Sequence, residues 1–264
     1  MNRSLCPVTT LLAFTIAVAT ASPRVADAER AFVTDRPGRT DSPYSVAPER
    51  FQIETDFASY GEYRDDGTTV KGMSVAAFNV KYGFTPSVDV QLLFTPYTRT
   101  STSSAGTSSV NDGTGPLGMR FKINLLGNDS GDVALAVLPY AFTPTRGANK
   151  QDNTLYGVTV PVALALGGGR SLGAAAGVER LGDSDTFGVA SLAYSTPVRR
   201  GWGGFVELYG HFDGFGDEDE QIATLDVGAV FVPSDDLQFD AGLYYGLTSD
   251  TEDWRLFAGV SARR

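Results

Sequence analysis

The chain has 264 residues, 42% of them hydrophobic, with 21 Lys and Arg against 31 Asp and Glu, a net charge of −10, 30 glycines and one Cys. That charge excludes a nucleic-acid binder, because no basic surface is available to neutralise phosphates. The hydrophobic content excludes general disorder, and the one apolar run near membrane-helix length lies at the extreme N-terminus, which excludes an α-helical transporter.

Arg3 precedes the apolar run 8–21, and both Ala19-Thr20-Ala21 and Ala26-Asp27-Ala28 are small-x-small cleavage sites. This three-part pattern is that of a secretory signal peptide over residues 1–28, cleaved after Ala21 or Ala28. Cys6 leaves with it, so an exported chain must hold together without disulfides. Residues 29–49 come next, a segment with several Pro and Gly that carries Asp35, Arg36, Arg39 and Asp41. Two readings of it stand side by side: a stretch folded into a barrel lumen, whose charges constrict the pore, or a periplasmic tail.

From Phe51 the chain alternates. Phe51, Ile53, Thr55 and Phe57 share one face against Gln52, Glu54 and Asp56; Leu117, Met119, Phe121, Ile123 and Leu125 oppose Gly118, Arg120, Lys122 and Asn124; Leu237, Phe239, Ala241, Leu243 and Tyr245 oppose Gln238, Asp240, Gly242 and Tyr244. A period of two with one clean apolar face predicts strands. Such segments fall at 50–60, 72–84, 87–98, 116–126, 132–143, 154–166, 171–181, 186–196, 202–212, 221–232, 237–248 and 254–262, about a dozen, each of the length a tilted strand needs to cross a bilayer. Tight connections, such as Thr85-Pro-Ser87 and Gly167-Gly-Gly-Arg170, alternate with longer polar ones at 61–70, 99–115, 145–153, 213–220 and 249–253. The Ser/Thr-rich run Thr100–Thr114 reads as a flexible surface loop. Small or isolated polar groups (Gly173, Ala175, Gly177, Glu179) stand opposite unbroken apolar rows (Ala223, Leu225, Val227, Ala229, Phe231), and aromatics collect near strand ends (Tyr60, Tyr82, Phe94, Tyr97, Tyr140, Trp202, Phe212, Trp254). The fold class predicted is all-β: a transmembrane antiparallel up-and-down β-barrel of about 12 strands over 50–264, apolar outside, with aromatic girdles.

Parity then places Glu54, Asp56, Lys81, Asp89, Arg120, Lys122, Glu179, Glu207, Asp226, Asp240 and Arg255 on the lumen side. Acids outnumber bases there, seven to four, which favours cations or neutral polar solutes if the passage is wet; pairing across the barrel, which would plug it, is the other outcome. Catalysis has little support. His211 is the one histidine, it shares a face with Glu207 and Tyr209, and no G-x-S-x-G is present. The acidic run Asp213–Glu220 lacks the spacing of a calcium loop and reads as a solvated external loop, Gly167-Gly-Gly169 reads as a turn, and neither paired Cys nor clustered His suggests a metal site. No cofactor is expected.

The stretch Thr34-Asp-Arg-Pro-Gly-Arg-Thr-Asp-Ser-Pro43, with Val46 and Phe51-Gln-Ile-Glu54 after it, resembles a bacterial outer-membrane β-barrel family of transporters labelled for the meta-pathway of phenol degradation. Leu117–Asn128 and Leu237–Thr248, running on to Gly259-Val-Ser261, resemble it too. The resemblance implies a barrel in the outer membrane of a Gram-negative bacterium that passes small solutes, aromatic or other hydrophobic compounds among them, by passive diffusion. The implied partners are outer-membrane lipids and lipopolysaccharide, the small-molecule solute and the barrel-assembly machinery. The chain departs from the family in ending Ala262-Arg263-Arg264 rather than on an aromatic residue. A plugged structural or adhesive barrel acting through its acidic external loops is the alternative.

Overall fold

The computed structural model describes residues 30–145, 152–182, 185–213 and 221–264. The signal-peptide reading and most of the acidic run (214–220) fall outside the described residues.

Fifteen segments make one antiparallel sheet: β1 (Phe51–Asp65), β2 (Thr68–Val75), β3 (Phe78–Thr85), β4 (Val88–Phe94), β5 (Tyr97–Ser104), β6 (Thr107–Gly113), β7 (Gly118–Leu126), β8 (Val133–Phe142), β9 (Leu155–Gly167), β10 (Arg170–Leu181), β11 (Asp185–Arg199), β12 (Trp202–Asp213), β13 (Gln221–Ser234), β14 (Leu237–Gly246) and β15 (Trp254–Arg263). Three neighbouring pairs run on as single staves. Both β2 and β3 pair with β1; β5 and β4 pair with β2 and β3; β6 and β7 pair with β5 and β4. Twelve staves result, and β15 pairs with β1 from Gln52↔Arg263 to Glu62↔Trp254, which closes the barrel. Closure leaves no lipid-exposed edge inside the bilayer, where an unpaired backbone group would find no water. The twelve strands read from the alternation are the twelve staves observed.

Face chemistry is that of a membrane barrel. Phe51, Ile53, Phe121, Leu192, Leu208 and Leu256 are exposed on the outside, while Glu54, Lys81, Asp89, Lys122, Glu207 and Asp226 are buried inside. A soluble sandwich would reverse this.

Two expectations need correction. The stretches at 61–70 and 99–115 are not polar loops: they are the upper parts of β1, β2, β5 and β6, which carry the sheet onward on one side of the barrel. Thr100–Thr114 is thus mostly hairpin, closed by a two-residue turn at Ala105-Gly106 (φ 48° and 81°), and Asp66-Gly67 (φ 40° and 74°) makes the matching turn between β1 and β2. Positive φ at both central residues gives the turn twist that hairpins favour. These pieces lack an apolar face because both faces of the projecting sheet meet water. Tyr140 also departs from the girdle reading. It follows Ala134, Ala136 and Leu138, all fully buried, on the inner face of β8, and its hydroxyl bonds Glu179 inside the barrel.

Candidate functional site

The lumen is occupied by the chain's own residues 30–47. They enter and leave at the rim where β1 starts and β15 ends, the rim of the tight turns. Arg30 binds there to Asp129 (2.6 Å) and to the Pro86 carbonyl (3.0 Å). At the exit, Glu49 N–H donates to the Gly83 carbonyl (2.9 Å), and Gly83 N–H to the Arg50 carbonyl (3.0 Å). A β-carbon at Gly83 would collide with the Ala47 carbonyl, so only glycine lets the two backbones approach this closely.

Between those points the segment is held by charge. Asp35 takes three cations from the wall: Lys81 (2.5 Å), Lys122 (2.6 Å) and Arg120 (3.1 Å). Lys81 also pairs with Glu54, whose carboxylate accepts the backbone N–H groups of Asp35 and Arg36 (each 3.1 Å). Burial pushes the Asp35 carboxyl up, but Lys122, Lys81 and Arg120 outweigh it and hold the group well below its ordinary 3.8. Asp41 bonds Arg120 at 2.6 Å, yet its pKa is raised, because burial and the neighbouring Asp35 outweigh that cation.

Arg36 lies across three neighbouring staves. It binds Asp240 with Nε (3.1 Å) and Nη2 (2.5 Å) and Asp56 with Nη1, passing over Gly259, whose register partners are those same two acids. A side chain at position 259 would strike the guanidinium. Burial works against the Arg36 charge, but Asp240 and Asp56 outweigh it and raise its pKa. At the tip, Glu207 accepts the N–H groups of Arg39 (2.7 Å) and Thr40 (3.0 Å), and the Arg39 guanidinium sits between the rings of Tyr209 (4.7 Å) and Tyr244 (4.5 Å). Its Nε is 3.7 Å from buried Asp226. On the way out, Val46 N–H donates to Asp89 (2.9 Å) and Asn124 donates to the Pro43 carbonyl (2.9 Å).

Of the eleven inward residues, nine therefore meet the segment: Glu54, Asp56, Lys81, Asp89, Arg120, Lys122, Glu207, Asp226 and Asp240. Two stand apart toward the other rim. Glu179 joins Tyr140 (2.5 Å) to His211 (3.1 Å), with His211 stacked on Phe187, and Arg255 binds Glu252 (2.5 Å) and Ser59 (2.9 Å). His211 thus faces a carboxylate and a ring rather than a serine hydroxyl. Sequence reasoning missed Gln52 (to the Val33 carbonyl, 2.9 Å), Gln91 (from Arg120, 2.8 Å) and Gln238 (to Thr34, 3.1 Å). All three share the inner face with residues that were identified, so strand parity was the signal.

The segment, held by β1–β7 along its arms and by β12–β14 at Arg36 and its tip, leaves a cavity of 720 Å³ between itself and β9–β13. Ala163, Gly173, Ala193 and Gly203 make that wall thin, and the cavity reaches the tight-turn rim at Gly169 and Arg199.

A closed twelve-stave barrel, lipid-facing outside and partly filled by its own N-terminal segment, defines an outer-membrane β-barrel. The chain belongs to the family described as "Putative MetA-pathway of phenol degradation", whose model matches residues 34–263, nearly all of the barrel and most of the lumen segment. No curated protein matches it by sequence. Among solved structures, an outer-membrane channel from Pseudomonas putida F1 is similar at 15% identity, with a TM-score of 0.63 over 84% of this chain and 98% of that one. The translocator domain of the autotransporter NalP from Neisseria meningitidis is similar at 13% identity, with a TM-score of 0.51 over 83% and 89%. At these identities the likeness is one of fold.

Proposed function

We propose that the protein is a channel of the outer membrane that passes small solutes, aromatic or otherwise hydrophobic, by passive diffusion. The observation that carries the reading is the 720 Å³ space beside the inward-folded segment, in a barrel whose wall is apolar toward lipid and polar toward the lumen. A space of that size suits small molecules. No covalent chemistry is involved: the lumen charges bind the segment, and the segment narrows the bore to one side. The dense pairing around Asp35, Arg36 and Arg120 supports a second reading, a barrel kept shut that serves the envelope structurally or adhesively.

Planar-bilayer recording of the refolded chain, together with liposome swelling, separates the two. The channel reading expects discrete conductance and solute entry, both increased by removing residues 34–45. A barrel that carries no current with or without those residues refutes it.

A further inference from the structure

Of the acids that border this cavity, Asp35 and Asp41 are paired with wall cations, while Glu207 keeps its charge and is taken up by backbone N–H groups at the far tip of the segment. Asp35, Glu54, Asp56, Asp89, Glu207 and Asp240 each hold a cation or a backbone N–H of the N-terminal segment, or both. Arg36, the cation of the segment that borders the cavity, is taken up by Asp56 and Asp240. What remains at the cavity is Arg199 and Arg200, both exposed, both bordering it, and neither side chain in an ion pair or hydrogen bond among the described residues. Their placement has a local cause. The β11–β12 register slips between Pro197 and Arg199, a bulge of the kind that re-aims side chains at a barrel rim. Behind them the cavity has an apolar strip, Ala163, Ala193, Phe205 and Val230 on the wall and Phe32 and Pro43 on the segment, set among polar groups such as Ser171 and Ser195.

We propose that this cavity is a binding site for small monocarboxylates with an apolar body, held with the body in the slot and the carboxylate on Arg199 and Arg200. A guanidinium pair matches a carboxylate in charge and in bidentate geometry, and an apolar enclosure with few polar groups at one end is the usual form of a small-molecule site. The inference rests on the reading of the barrel as a channel and names the solute class that the tight-turn end favours: anions, where the excess of acids in the sequence pointed to cations or neutral polar solutes.

Benzoate and its neutral isostere benzamide are the probes, titrated calorimetrically into the refolded full chain in detergent. Benzoate is expected to bind at least about tenfold more tightly, a difference of about 1.4 kcal/mol. R199Q/R200Q is expected to bring benzoate down to the benzamide level while benzamide is unchanged, and A193F, which fills the slot, to weaken both; heat-modifiable gel migration verifies that each variant is folded. Equal binding of the two probes, or benzoate binding indifferent to R199Q/R200Q, overturns the proposal. Potassium chloride current through the same preparation in a bilayer reads the channel separately: selective binding without current keeps the site and removes the channel, and current without selective binding does the reverse.

Discussion

Replacing Asp35 by asparagine (D35N) tests the anchoring of the lumen segment at its most connected point. The amide keeps the shape but cannot neutralise Lys81, Lys122 and Arg120, which lie 2.5, 2.6 and 3.1 Å away around a carboxylate only 9% exposed. Removing one partner from a buried charge cluster costs about 3–5 kcal/mol, which is about two to four orders of magnitude in the equilibrium between the docked and withdrawn segment. The tip would stay tied by Glu207 and the exit by Asp89, so the first arm is the part expected to come free. Two measurements follow it: single-channel conductance, expected to rise and to flicker, and trypsin cleavage after Arg39, shielded in the native protein between Tyr209 and Tyr244 and expected to become fast. Native conductance together with native protection at Arg39 in the D35N variant would show that the ion cluster does not hold the segment.

Acid should release the segment only at extreme values. Asp35 has a depressed pKa, so its contribution is present above its unfolded value and lost as pH falls through a folded value well below 3.8; Asp41 has a raised one, so its contribution is present below the unfolded value and declines as pH rises through the folded value. Conductance traced from pH 7 downward should therefore stay at its native level at pH 4 and rise only further down; an increase near pH 5 would contradict this. Gly83→Ala forces the Ala47 carbonyl away and should lower the fraction of heat-modifiable folded barrel on refolding, read on a gel. Leu138, fully buried on the inner face, should lose about 2–5 kcal/mol of stability on change to Ala, measured by urea unfolding in detergent. Leu208→Arg on the lipid face should cost about 2–4 kcal/mol if the residue lies near mid-bilayer, in the same assay in lipid; a change near zero would place that face in water.

The barrel could be read in the sequence because two solvents, hydrocarbon and lumen, print opposite chemistry on successive residues. Phe121 and Ile123 against Arg120 and Lys122 announce both the strand and its orientation. That signal fails where the solvents are the same on both faces, which is why Thr100–Thr114 looked like a loop although its backbone is paired along most of its length. It is silent about Tyr140 too, since position near a strand end does not say which way a ring points. The lumen contacts lie further out of reach: Arg36 and Asp240 are 204 residues apart, Arg39 and Glu207 168 apart. The composition of 29–49 offered a folded-in segment and a tail equally, and only the closed barrel, which brings Asp56, Gly259 and Asp240 side by side, supplies the seat for Arg36.

Both ends of the lumen segment meet the wall at one rim: Arg30 beside the 127–132 turn, and Ala47 against Gly83, a few residues before the first stave begins. It is a flap, not a thread. None of the described residues of the segment passes through to the opposite mouth, so their withdrawal asks no stave to part and no knot to be undone. The same rim holds the seam, where Phe51 and Arg264 exchange backbone hydrogen bonds and Arg263 grips the Arg30 carbonyl. The last clasp of the cylinder and the hinge of its inner flap are thus one joint.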